Sequence, residues 1–110
     1  MKFLSIITLG LILASCEVPI NNSKTSVKEI YGNCGMCKKT IEEAGNQDGI
    51  SSVDWNKDTK KATITIDSTK TTFDSVLKLI AESGYDNEAF KANQASYDGL
   101  HECCKYERSK

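Results

Sequence analysis

The chain has 110 residues, 14 basic and 15 acidic, with 26% charged and 39% hydrophobic, which bounds it to one domain at most. A net charge of −1 and the lack of any Lys/Arg-rich run leave no field for gripping a phosphate backbone, which argues against nucleic acid as a partner. The five cysteines, Cys16, Cys34, Cys37, Cys103 and Cys104, fall below a disulfide-scaffold composition and are unevenly spaced, so each is read by its own surroundings.

Met1 and Lys2 precede a run from Phe3 to Ala14 that is apolar except for Ser5, Thr8 and Gly10. That run is too short to span a bilayer, and with one positive charge before it and small residues after it describes an export signal over residues 1–15. Its end, Leu13-Ala14-Ser15-Cys16, resembles the lipobox of bacterial lipoproteins; the alternative is an ordinary signal with a chance cysteine. The resemblance implies that Cys16 is lipidated and becomes the first residue after cleavage. The protein is then expected in the cell envelope, anchored to a bacterial membrane on its periplasmic or outer-membrane side through acyl chains rather than charge. Residues 16–25, with Pro19 and the polar run Asn21-Asn22-Ser23-Lys24-Thr25, have no apolar periodicity and read as the lipidated cysteine followed by a flexible tether.

From Ser26 the hydrophobic period changes repeatedly. Val27, Glu29 and Tyr31 alternate with Ser26, Lys28 and Ile30 in a first strand. The loop Asn33-Cys34-Gly35-Met36-Cys37 follows, and then Cys37, Ile41 and Ala44 fall on one helical face that Gly45 stops. Ile50, Val53 and Trp55 mark a second strand, Asn56-Lys57-Asp58-Thr59 is turn chemistry, and Ala62, Ile64 and Ile66 alternate with Thr63, Thr65 and Asp67 in a third, so the two strands read as a hairpin. Phe73, Val76, Leu77 and Ile80 return to helical spacing, with Thr71 or Thr72 as cap and Gly84 as stop. A last short strand is placed over residues 88–92. The order βαββαβ predicts an α+β, ferredoxin-like fold, with two helices on one face of a four-stranded antiparallel sheet.

Cys34 and Cys37 sit on the loop into the first helix, where free backbone N–H groups and the positive end of the helix dipole stabilise thiolates. A thiolate is both a metal ligand and a nucleophile, so the pair is primed for metal or redox chemistry. Two soft donors on a loop suit Cu(I), with Zn(II) or Hg(II) as competitors; the bland alternative is a structural disulfide in an oxidising compartment.

These segments together resemble the heavy-metal-associated domain family of copper chaperones, metal-transporting ATPases and periplasmic mercury-binding proteins. Cys34-x-x-Cys37 takes the place of the family's metal-binding CxxC, and Ile41-Glu42-Glu43-Ala44 resembles the helix after it. Gly49-Ile50-Ser51-Ser52-Val53-Asp54-Trp55-Asn56 looks like the strand G-V-x-x-V-x-V-N, and Ala62-Thr63-Ile64-Thr65-Ile66-Asp67 looks like the next one. Ile80-Ala81-Glu82-Ser83-Gly84-Tyr85 is similar to I-x-x-x-G-Y. The resemblance covers residues 26–92 and implies that Tyr85 lies beside the metal loop. In one place the sequence departs from the family: where G-M-x-C-x-x-C carries a buried methionine, this chain has Gly32, and Met36 lies between the cysteines. The loop is therefore expected to pack differently, with Met36 either an added soft contact or a space-filler.

Residues 93–110 form a tail that the family module does not need, carrying His101, Cys103 and Cys104. Adjacent cysteines do not readily bridge each other, so their partners are a metal ion, Cys34 and Cys37, or another molecule. Folded back, the tail raises the coordination number at the CxxC; otherwise it forms a second, separate site or protects the first by disulfide exchange. His101 by itself reads as a solvated residue or a ligand, and Tyr97 and Tyr106 are candidates to pin the tail by aromatic burial.

The leading expectation is a non-enzymatic protein that captures Cu(I) or another soft ion outside the inner membrane and hands it to a metal efflux or transport protein. The alternative is a thiol-disulfide redox protein using Cys34 and Cys37, which is weakened because the chain's one proline, Pro19, is far from the pair and a thioredoxin-like fold wants a cis-proline beside it. No Ser/His/Asp or paired-carboxylate arrangement can be built from the single histidine and the scattered acids.

Overall fold

The computed structural model describes residues 18–108; the export signal and Cys16 lie outside the described residues. Three strands, β1 (Ser23–Glu29), β2 (Ser51–Asn56) and β3 (Lys61–Asp67), form an antiparallel sheet in the order β1-β3-β2. The helices are α1 (Gly35–Gly45), α2 (Phe73–Glu82) and a short α3 (Gln94–Asp98), followed by a 3-10 turn at Glu102–Cys104.

The period-two patterns do what they predict. Ala62, Ile64 and Ile66 of β3 and Val53 and Trp55 of β2 are buried, while Lys61, Thr63, Ser52 and Asp54 are exposed. The turn between these strands is tied by the Asn56 side-chain oxygen, which accepts from the N–H groups of Asp58 (2.8 Å) and Thr59 (3.1 Å). The apolar face is covered by α1 through Cys37 and Ile41 and by α2 through Val76, Leu77, Ile80 and Ala81. Thr72 caps α2, its hydroxyl accepting from Ser75 N–H at 3.1 Å. Gly45, expected as a helix stop, is the last residue of α1 and a point of close approach, since a Cβ there would lie 2.5 Å from Val53 Cγ2.

Two expectations change. The first strand begins at Ser23, so part of the expected tether is in the sheet: Ser23, Lys24 and Thr25 pair with Asp67, Ile66 and Thr65 because β3 offers a full-length edge. The fourth strand at 88–92 does not form, and among the described residues the sheet has three strands. The chain does return to the free edge of β1, through a single bridge of Ile30 with Asn87 flanked by Tyr31 N–H to Asp86 O (2.9 Å) and Glu88 N–H to Glu29 O (3.1 Å). Beyond it, side chains capture the backbone donors a strand would need. Asn87 Oδ1 accepts from Ala89 and Phe90, and Asp86 Oδ1 accepts from Ala92.

The tail folds back onto the domain. Tyr106 is 2% exposed and stacks near Tyr31 and Tyr85, with ring centroids 6.4 and 5.8 Å away, while Tyr97 meets it edge-on at 5.1 Å. Its hydroxyl donates to Gly84 O (2.8 Å) and accepts from Asp86 N–H (2.7 Å). Arg108 then grips buried Asp86 with two nitrogens, at 3.0 and 2.8 Å.

Candidate metal centre

Cys34 is the N-cap residue of α1 and Cys37 lies in its first turn, so both sulfurs sit where the helix has N–H groups to spare. Their Sγ atoms are 3.8 Å apart and are free thiols. The N–H groups of Cys37 and then Met36 face the Cys34 sulfur and bring its pKa down from 9.0 to about 7. Asn33 N–H donates to Cys37 Sγ at 3.3 Å. Cys37 is fully buried, against the core that contains Ile30, Trp55 and Tyr85.

The tail brings a third sulfur to this point. The Sγ atoms of Cys34, Cys37 and Cys104 all lie within 4.8 Å of one another. Cys104 is 1% exposed, and burial, followed by the neighbouring Cys37, pushes its thiol up to about 12. Cys103 is placed differently: its carbonyl oxygen accepts from Asn33 Nδ2 (3.3 Å) and lies 3.7 Å from Cys34 Sγ. Its own sulfur is exposed, 3.7 Å from Met36 Sδ and 3.9 Å from Cys104 Sγ. The adjacent Cys34 sulfur is the main cause that raises the Cys103 thiol.

The other expected site residues divide. Tyr85 lies beside the loop, fully buried, its hydroxyl without a hydrogen-bond partner among the described residues; burial, and then the thiols of Cys104 and Cys37, push its pKa far up. His101 is outside the three-sulfur group; it is exposed and lines an open groove beside Cys104 together with Thr40, Glu82 and Leu100. Met36 is 47% exposed, and so is no core filler.

Residues 33–86 match the family model of the heavy-metal-associated domain. This segment is a heavy-metal-associated domain. A solved structure of a CopZ metallochaperone is similar with a TM-score of 0.53, at 29% identity over 58% of this chain and 98% of that one. A candidate copper-ion-binding protein from Bacillus anthracis gives a TM-score of 0.56 at 24% identity, over 62% of this chain and 99% of that one, and shares the fold. Among curated proteins no sequence matches.

Against the heavy-metal-associated pattern, the glycine at position 32 now has a physical reason. A Cβ there would lie 3.0 Å from two ring atoms of Trp55 and 3.3 Å from Ile41 Cδ1. The indole fills the room beneath the metal loop, so no side chain fits at Gly32 without displacing it. Trp55 is fixed in turn by its N–H, which donates to Ile30 O at 2.8 Å. Lys38 holds the helix start to the strand that carries Trp55: its amine meets Glu42 (2.6 Å), Asp54 (2.9 Å) and Trp55 O (2.8 Å). Cys104 lies outside the heavy-metal-associated segment altogether.

Sequence reasoning missed Asn33 and the Asp86–Arg108 pair, which bind the tail across the metal loop and at its far end. A signal for the second existed: Arg108 is the chain's only arginine, the residue type suited to a two-point grip on a buried carboxylate.

Proposed function

We propose that this protein captures Cu(I) as cargo with the thiolates of Cys34, Cys37 and Cys104 and releases it by ligand exchange to a metal efflux or transport protein. The carrying observation is the convergence of three cysteine sulfurs within 4.8 Å of one another at the start of a helix. The heavy-metal-associated domain and the likeness to a CopZ metallochaperone support it. Thiolates select soft ions, and three sulfurs suit Cu(I) or Hg(II) better than Zn(II), which takes four ligands in closed sites. The role is carriage rather than catalysis, exercised at the cell envelope through the lipidated Cys16 that the lipobox resemblance implies. Each thiol that binds loses a proton, so uptake strengthens as pH rises.

The test is anaerobic titration of the reduced protein with Cu(I) against a competing chelator. Cys34→Ser/Cys37→Ser is expected to abolish competitive binding. Cys104→Ser should weaken it by at least about tenfold, equivalent to ~1.4 kcal/mol. No competition for Cu(I), Hg(II) or Zn(II) by the native protein would sink the proposal. A dithiol-disulfide couple at Cys34 and Cys37 is the second reading, favoured by the 3.8 Å sulfur separation and the acidic Cys34 thiol; catalysis of insulin disulfide reduction would turn the choice toward it.

A further inference from the structure

The three-sulfur group leaves two soft donors unused at its outer side. Cys103 Sγ and Met36 Sδ are 3.7 Å apart, both are exposed, and Cys103 Sγ is 3.9 Å from Cys104 Sγ. These separations are compatible with sulfurs that share an ion. Two sulfurs each about 2.3 Å from a shared ion, in tetrahedral or trigonal arrangement, stand about 3.8–4.0 Å apart. The inner pair Cys34/Cys37 meets that spacing at 3.8 Å, and the Cys103/Cys104 and Cys103/Met36 pairs lie at or within about 0.1 Å of it.

We propose a second soft-ion position, held by Cys103 Sγ and Met36 Sδ and joined to the inner ion through a bridging Cys104 Sγ, so that one chain carries two Cu(I) ions. It rests on the reading of the inner site, because the bridge belongs to it. Thiolates bridge soft ions because the sulfur keeps lone pairs after binding one of them, and a thioether completes such a site without adding charge. The backbone keeps Cys103 at the mouth: its carbonyl accepts from Asn33 Nδ2, which holds the turn against the metal loop while the side chain faces Met36. No electrons move in filling the position; the Cys103 thiol gives up its proton and two sulfur–metal bonds form, one from Cys103 and one from Met36, with a third from the shared Cys104.

The experiment is titration of the reduced full chain under anaerobic conditions with Cu(I), supplied as its acetonitrile complex, counting bound copper per chain in the monomer fraction after gel filtration. X-ray absorption is then used to look for copper–copper scattering. The native protein is expected to hold two ions with copper–copper scattering. Cys103→Ser should hold one ion, without that scattering, at native inner-site affinity. Met36→Leu, a volume-conserving change at an exposed position, should bind the second ion at least about tenfold more weakly. One ion in both native and Cys103→Ser proteins would overturn this proposal and leave capture at the inner site intact. Two ions in both, or a second ion found only in dimers, would also overturn it, and no bound ion at all would remove both readings.

Discussion

Cys34 and Cys104 place opposite extremes of thiol acidity in one group of sulfurs. Cys34 is held down to about 7 by the N–H groups of Cys37 and Met36, whereas burial sends Cys104 up to about 12. The thiolate is the reactive form, so a thiol with a lowered pKa gains reactivity from a lower pH. Alkylation of the metal-free, reduced protein, resolved by mass spectrometry, should therefore label Cys34 first, with its rate half-maximal near pH 7. Cys104 should stay unlabelled through neutral pH, and equal rates for the two at pH 7 would contradict the arrangement. The approach of the Cys34 and Cys37 sulfurs was legible in the sequence, because a CxxC at a strand-to-helix loop needs only local structure to bring them together. The choice of Cys104 over Cys103 was not, since neighbours in a 3-10 turn point in different directions and only the docked tail decides which one faces inward.

At the scale of elements, the tail is placed by contacts with residues far away in the chain. Its anchors are the Tyr106 phenol between Gly84 and Asp86 and the two-point grip of Arg108 on Asp86, itself 1% exposed. Burial alone would raise the Asp86 carboxyl; the Arg108 guanidinium and the Ala92 N–H outweigh it and leave the pKa below the ordinary value. The carboxylate is thus stabilised in the folded state, a contribution fully present above the ordinary aspartate pKa of about 3.9 and lost as pH falls through the lowered one. Arg108→Ala leaves a buried carboxylate without its cation and should cost about 3 kcal/mol in urea unfolding at pH 7. The same variant should speed amide exchange over residues 101–108 and expose Cys104 to alkylation; unchanged exchange there would show that the pair does not hold the tail. The missing fourth strand has its origin in the same neighbourhood. A short strand was expected over residues 88–92, but Asp86 and Asn87 carry side chains that take the backbone donors first, a local competition that strand placement from the sequence does not register. The hairpin and both main helices were readable because their patterns are local and their caps and turns, Thr72 and Asn56, are specific.

For the whole molecule, the proposed ligand set joins residues far apart in the chain and so would link metal to global stability. Cys34 and Cys104 are 70 residues apart, so an ion held as proposed would bind the folded arrangement far better than a chain in which they are separated. With free Cu(I) held at about a hundredfold above the dissociation constant, binding should add ~2.7 kcal/mol. In a domain of this size that is a rise in Tm of roughly 10–20 °C, read by anaerobic calorimetry. The rise should shrink in Cys104→Ser and vanish in Cys34→Ser/Cys37→Ser; an equal rise in all three proteins would place the ion elsewhere.

The packing of Trp55 against Gly32 also gives the molecule an optical property. It is the chain's single tryptophan, 1% exposed, and a Cβ at Gly32, two residues before Cys34, would touch its ring. Its emission is therefore that of an indole shielded from water, and all of it originates beneath the metal loop. The ring stack of Tyr31, Tyr85 and Tyr106 stands close by to pass on excitation. A heavy ion bound at Cys37, as proposed, should dim a nearby excited indole, so the protein would report its own loading in light without any attached dye.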